Sequence, residues 1–292
     1  QSKISKLLDS VPDTNGILLI GGDVADSIEV EALFYEQLSF GGWRGKIIAI
    51  LGNHELWDGN PSGLSPTRPI DAIIANYRET LSRSVTLLEN QLLIVYKGLF
   101  SEILDESTIL NTSVEELTKV CTNSSFLLLG GIGFSGLNPI YNANMGLYRA
   151  TISMQEDVAR SKRFRTIYEK ILMCAGSSRV IVLTHTQMAD WSNDQYNPNW
   201  IYISGHTHQN NFLLRDDGTV VFSDNQVGYK PKPWHLNGFT INIKRYDPFE
   251  SFPDGIPQIT HEQYIEFNRC QGIIMQDMKY PGNIFALKCN GI

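Results

Sequence analysis

Apolar runs of four or five residues recur along the chain, and several end in glycine or a small polar residue beside potential ligands. Ile17-Leu18-Leu19-Ile20 leads into Gly21-Gly22-Asp23-Val24-Ala25-Asp26, and Ile47-Ile48-Ala49-Ile50-Leu51 into Gly52-Asn53-His54-Glu55. Val180-Ile181-Val182-Leu183 leads into Thr184-His185, and Trp200-Ile201-Tyr202-Ile203 into Ser204-Gly205-His206-Thr207-His208. Such short, wholly apolar runs read as buried strands. Between the first two, Val30, Leu33, Phe34, Gln37 and Leu38 share one helical face. Strand, helix and strand in alternation imply a parallel sheet. Ligands of such sheets bind beyond the carboxyl ends of the strands. Asp23, Asn53 and His54 stand at those ends.

The remaining pattern fills in the frame. Ile4, Leu7, Leu8 and Val11 predict a helix over 2–11, broken by Pro12 and Asn15-Gly16. Pro61 to Pro69 reads as a loop, and Ile70, Ile73, Ile74, Tyr77 and Leu81 predict a helix. Leu92–Tyr96 predicts a strand, and Ser113 with Glu116 can form a capping box that opens a short helix. Phe126–Gly130 predicts another strand, running into Gly131-Ile132-Gly133-Phe134-Ser135-Gly136. That GxGxxG would need a helix to start at once in order to bind a dinucleotide. Leu137-Asn138-Pro139 cannot open one cleanly, so the segment reads as a glycine-rich turn. Ser153 caps a long helix over 153–172 that Gly176 can end, and its Arg160, Lys162, Arg163 and Arg165 read as a solvated face. A phosphate-binding patch is the second reading of that run.

After His208 the chain turns to short strands at Phe212–Leu214, Val220–Ser223 and Phe239–Ile243, with Asp217-Gly218 as a hairpin signal. This half therefore reads as antiparallel. Beyond Pro248 the chain is loop-rich, with strands expected near Ile273 and at Ile284–Leu287.

With 292 residues, 42% apolar and 19% charged, the chain can bury a sizeable core. Its net charge of −7 weighs mildly against a large nucleic-acid footprint, although a metal-lined cleft attracts phosphates whatever the total. No apolar run reaches membrane-spanning length. Cys121, Cys174, Cys270 and Cys289 are scattered, which suits reduced thiols in a cytoplasmic protein. There is no apolar signal segment, and a start at Gln1 rather than methionine suggests residues upstream. Four of the six histidines follow apolar runs, while His235 and His261 lie in polar surroundings.

Asp23, Asn53, His185, His206 and His208 together make a mixed oxygen and nitrogen ligand set. It suits Mn, Fe, Zn or a similar divalent ion rather than a thiolate-seeking one. Paired ions can clamp a phosphate ester and lower the pKa of a bound water.

Gly22-Asp23, Gly52-Asn53-His54-Glu55, His185 after a strand, and Gly205-His206-x-His208, in this order, resemble the calcineurin-like metallophosphoesterase superfamily. The resemblance spans residues 17 to about 223. It implies an α/β (α+β) fold, a two-sheet sandwich flanked by helices, parallel in its N-terminal half and more antiparallel after it. It also implies two divalent metal ions. Asp23 would bridge them, Asn53, His185 and His206 would complete one site, and His208 would serve the other. His54 would face the phosphate as general acid or charge stabiliser, with Asp26 as its carboxylate partner. Ser27 stands where the protein serine/threonine phosphatases carry arginine, so that branch is not expected.

The family's opening Asp-x-His is absent from the chain. The second metal site is therefore incomplete in these residues, and the missing pair is expected upstream of Gln1. The expected function is a metal-dependent phosphoester hydrolase acting on a phosphorylated substrate, with monoester and diester (or nuclease) chemistry both open. The competing expectation is a binding scaffold that has lost one metal. The chain reads as a single domain, 1–292, with segments 56–125 and 137–175 as accessories near the active site. Substrate choice would lie in 56–125, in 137–150 and in the loop Gly228–Gly238 with Trp234 and His235.

Overall fold

The computed structural model describes residues 8–9, 16–59, 68–96, 99–149, 151–208, 211–223, 226–227, 237–241 and 282–289. The expected helix over 2–11 (save Leu8 and Asp9, which are helical), the loop at Gly228–Gly238, His235, His261 and the strand near Ile273 lie outside them.

The strands are β1 (Ile17–Ile20), β2 (Lys46–Ala49), β3 (Thr86–Leu87), β4 (Gln91–Tyr96), β5 (Leu99–Leu104), β6 (Phe126–Gly131) and β7 (Val180–Thr184). They continue as β8 (Ile201–Ser204), β9 (Asn211–Leu214), β10 (Val220–Ser223), β11 (Gln226–Val227), β12 (Asn237–Ile241) and β13 (Gly282–Cys289). The helices are α1 (Ile28–Phe40), α2 (Ile70–Leu81), α3 (Glu106–Asn111), α4 (Val114–Asn123), α5 (Met154–Cys174) and α6 (Met188–Trp191).

The strands form two sheets in an α/β fold. In the first, β1, β2 and β3 run parallel, and β13 adds to the other side of β1, with β11 and β12 beside it. The second is mixed, in the order β5-β4-β6-β7-β8-β10-β9. Its pairing departs from a parallel half followed by an antiparallel one. β4 lies antiparallel to both β5 and β6, whereas β10 lies parallel to β8. The Asp217-Gly218 hairpin is formed, but it folds β10 back inside β9 and so returns that strand to the direction of β8. The segment 56–125 does more than frame a cleft, since it supplies β3 to one sheet and β4 and β5 to the other.

Alternate residues of these strands enter different clusters, as the pleat requires. Leu18, Ile20, Ile47 and Ala49 pack with Phe34 and Leu38 of α1 and Ile73 and Tyr77 of α2. Leu127, Leu129, Val180 and Val182 pack with Phe164, Ile167, Tyr168 and Ile171 of α5. Leu19 and Ile48 of the first sheet share a third cluster with Leu128, Ile181 and Ile203 of the second.

Two expectations change. The buried face of α1 is Glu31, Phe34, Tyr35 and Leu38, while Val30 and Leu33 are exposed. The apolar pattern missed this stripe by one position because a carboxylate occupies one of its buried places. The basic run of α5 is only partly a solvated face: Lys162 and Arg163 are exposed, yet the arginines are paired. Arg160 bonds Glu156 and Asp71 and lies over the Phe134 ring, Arg163 bonds Glu106, and Arg165 bonds Glu169 and Asp194. These contacts tie α5 to α2 and α3. The GxGxxG segment is a turn, and the first α-helix after it begins at Met154. Gly133 is left-handed, and a Cβ there would come 2.8 Å from the Trp191 ring.

Candidate metal and catalytic centre

The site forms where two turns of the first sheet meet two of the second. After β1, Gly22 adopts a left-handed conformation, and a Cβ there would approach the Leu51 carbonyl carbon to 2.6 Å. After β2, a Cβ at Gly52 would come 2.6 Å from the Asp23 amide and 2.7 Å from the His185 ring. Only glycine lets these backbones close to that distance. Asp23, His206 and His208 are themselves left-handed, at φ of 56°, 73° and 57°. Non-glycine residues held so are strained, and such strain collects at functional sites.

Glu55 clamps the two first-sheet turns together. Its fully buried carboxylate accepts from the backbone N–H groups of Asp23 (3.0 Å), Val24 (2.6 Å) and Gly52 (2.8 Å). Burial, then the neighbouring Asp23 charge, raises its pKa, and the N–H donors oppose that rise. Across the sheets, His185 Nδ1 bonds the Gly21 carbonyl at 2.8 Å, and within the second sheet the Gly205 amide donates to the His185 carbonyl at 2.8 Å.

Asp23, His185 and His206 offer ligand atoms that all lie within 4.8 Å of one another. Asn53 joins them. Its Nδ2 donates to the Leu147 carbonyl, which turns Oδ1 toward His185 Nε2 (2.9 Å) and His206 Nδ1 (3.2 Å). The Gly21 carbonyl can only accept, so His185 carries its proton on Nδ1. In the neutral ring the Nε2 lone pair then faces the Asn53 oxygen, with Asp23 Oδ1 3.5 Å away. A cation among these converging lone pairs resolves their repulsion, so the residues fit a divalent ion. His208 is not part of this close cluster, although it lines the same cleft as Asp23, His54 and His206.

His54 stands beside the cluster. Its backbone N–H donates to Asp23 Oδ1 (3.0 Å), and its Nδ1 lies 2.7 Å from Asp26 Oδ1. A carboxylate accepts, so Nδ1 carries the proton and Nε2, 3.9 Å from Asp23 Oδ2, is left to the cleft. The imidazole stacks on Trp57 with ring centroids 3.7 Å apart.

All seven residues singled out in the sequence, Asp23, Asp26, Asn53, His54, His185, His206 and His208, therefore lie around one centre. Glu55 belongs to the Gly52-Asn53-His54-Glu55 motif, but its clamp on three backbone N–H groups was not legible there. The loop within 137–150, where substrate choice was expected, contributes Tyr141, Met145, Leu147 and Arg149 to the lining of the cleft of about 400 Å³. No periodicity marks that loop.

No curated protein and no solved structure matches the chain significantly. A family profile described as calcineurin-like phosphoesterase matches residues 2–210, which covers the metal cluster, His54 and every strand that positions them. The chain belongs to the calcineurin-like phosphoesterase family.

Proposed function

We propose that the protein is a metal-dependent phosphoester hydrolase with His54 as its general acid. The observation that carries this is the 2.7 Å contact between His54 Nδ1 and Asp26 Oδ1, next to the cluster of the buried Asp23 and His185 with the half-buried His206. Asp23, Asn53, His185 and His206 would hold one divalent ion (Mn, Fe or Zn), and Asp23 with His208 would contribute to a second. Ions so held supply Lewis acidity toward the phosphoryl oxygens and an activated water.

His54 Nε2 points into the cleft, and the imidazolium, protonated on both nitrogens, would deliver its Nε2 proton to the departing ester oxygen. Asp26 fixes the tautomer and steadies the ring, and Trp57 fixes its plane. In the overall reaction a bond forms from water oxygen to phosphorus. The phosphorus–ester oxygen bond breaks, the alcohol leaves with the proton from His54, and a proton released by the attacking water restores His54 through solvent. A general acid of this type contributes about a hundredfold to ten-thousandfold.

We read the two sheets as a sandwich, since Leu19 and Ile48 share a buried cluster with Leu128 and Ile181. We also read the chain as a single phosphoesterase domain. A cytoplasmic location suits the free, buried Cys121 and Cys174, and no described helix is long and apolar enough to cross a membrane.

The test is hydrolysis of p-nitrophenyl phosphate and bis(p-nitrophenyl) phosphate with Mn, Fe or Zn supplied. Chelator should abolish turnover and added metal should restore it. The ratio of the two rates separates monoesterase from diesterase. Metal binding without any turnover would favour the scaffold reading, to which the place of His208 outside the close cluster lends weight.

A further inference from the structure

The loop 137–149 is a built wall of the cleft. Asn142 Nδ2 donates to the Asn138 carbonyl, and the buried Tyr148 hydroxyl bonds Ser135 Oγ at 2.9 Å. The Leu147 carbonyl accepts from both Asn53 Nδ2 (3.2 Å) and Trp57 Nε1 (3.0 Å), so the loop is fastened to the turn that carries His54. Three side chains of this loop then face outward at the cleft. Arg149 holds a left-handed backbone, φ 50°, and sets its guanidinium 4.6 Å from the Trp57 ring centroid. His54 stacks on the same ring. Stacking occupies the face of a guanidinium and leaves its N–H edge to grip a planar or tetrahedral anion. Among the described residues Arg149 forms no ion pair, and it is the sole lysine or arginine lining the cleft. Tyr141 and Met145 line it too, with 61% and 68% of their surface exposed, and the Tyr141 ring meets the His206 ring edge-on at 6.4 Å.

We propose that Arg149 binds the phosphoryl group of the substrate, and that Tyr141 and Met145 receive an aromatic group esterified to it. The preferred substrate class is a small aromatic phosphoester, an aryl or nucleobase-bearing phosphate, rather than a sugar or glycerol phosphate. A cationic fork, a tyrosine ring and a thioether in one cleft divide the recognition between charge and an aromatic face. A polar alcohol group gains nothing from the second part. The volume of about 400 Å³ lies toward the small end of ligand sites. This inference rests on the phosphoesterase reading.

The experiment compares benzyl phosphate, whose leaving group is an alkyl alcohol like that of glycerol 3-phosphate, with glycerol 3-phosphate on Mn-loaded protein, in wild type, Tyr141→Ala, Arg149→Met and Arg149→Lys. Wild type should show kcat/KM about tenfold higher for benzyl phosphate, the scale of one aromatic contact. Tyr141→Ala should remove most of that preference and leave glycerol 3-phosphate within about twofold. Arg149→Met should lower kcat/KM for both by roughly tenfold to a hundredfold, chiefly through KM, with partial recovery in Arg149→Lys. Equal effects of Tyr141→Ala on both substrates, or an unaffected Arg149→Met, would overturn the proposal. If wild type hydrolyses neither, the hydrolase reading fails on its own. Calorimetric binding of phenylphosphonate against methylphosphonate then decides the recognition, which is overturned if wild type binds both alike. Thermal unfolding of each variant checks that the fold is kept.

Discussion

Asp26 Oδ1 lies 2.7 Å from His54 Nδ1, which leaves the other ring nitrogen of His54 facing the cleft beside Asp23. Asn53 and His54 are adjacent in sequence yet serve different ends. The amide oxygen of Asn53 turns to His185 and His206, and the imidazole of His54 turns to Asp26. His54→Ala should therefore cut turnover by about a hundredfold to ten-thousandfold and leave bound metal unchanged. Asp26→Asn should cost less, because the imidazole remains. Steady-state rates and metal content measured on the same samples check both, and loss of metal from His54→Ala would make His54 a ligand instead.

The metal sites should be unequal. His185 is fully buried and lies within reach of Asp23, Asn53 and His206, whereas His208 stands apart from that cluster. His185→Ala should abolish the tightest Mn²⁺ binding seen by calorimetry. His208→Ala should leave that binding within about threefold, since it removes no group of the close set. The reverse order of effects would show that the main site is built around His208.

Glu55 is a positioning residue with three backbone donors to satisfy. Glu55→Ala should lower the melting temperature sharply, because each orphaned buried N–H costs about 1–3 kcal/mol. Glu55→Gln should fall between. Its oxygen can replace Oε2 toward Asp23 and Gly52, but its amide nitrogen then opposes the Val24 N–H. Equal melting temperatures for Glu55→Ala and Glu55→Gln would argue against the clamp.

Glu89 offers a pH test outside the candidate centre. It accepts from the Ile132 N–H at 3.0 Å, and burial pushes its carboxyl up to about 7. A raised carboxyl pKa means that the folded state holds a proton which the unfolded chain releases near 4.5. The stability tied to that proton is complete below the unfolded value and is lost as pH rises through about 7. Glu89→Gln, neutral at every pH, should flatten the fall in denaturation midpoint between pH 5 and 8. An unchanged slope would rule out Glu89 as its source.

The strands that end at Asp23, Asn53, His185 and His206 were legible in the sequence because they are buried on both faces. Their runs are apolar without interruption, and glycine follows where two backbones touch at Gly22 and Gly52. The caps at Ser113 and Ser153 were legible too, since each is a local contact three residues long. Periodicity could not give what distant contacts decide. Glu31 is buried on α1, so the apolar stripe was displaced by one position. The cationic run of α5 found carboxylates on other helices, at Asp71 and Glu106, and became a set of ties. Two reversals of the chain, not the hairpin alone, made β10 parallel to β8. Most of all, the loop 137–149 has no pattern of its own. It becomes a wall of the site only because one carbonyl, that of Leu147, meets Asn53 and Trp57 some 90 positions away in the chain. Sequence carries the local pattern that makes each turn, and tertiary packing alone decides which turns share one cleft.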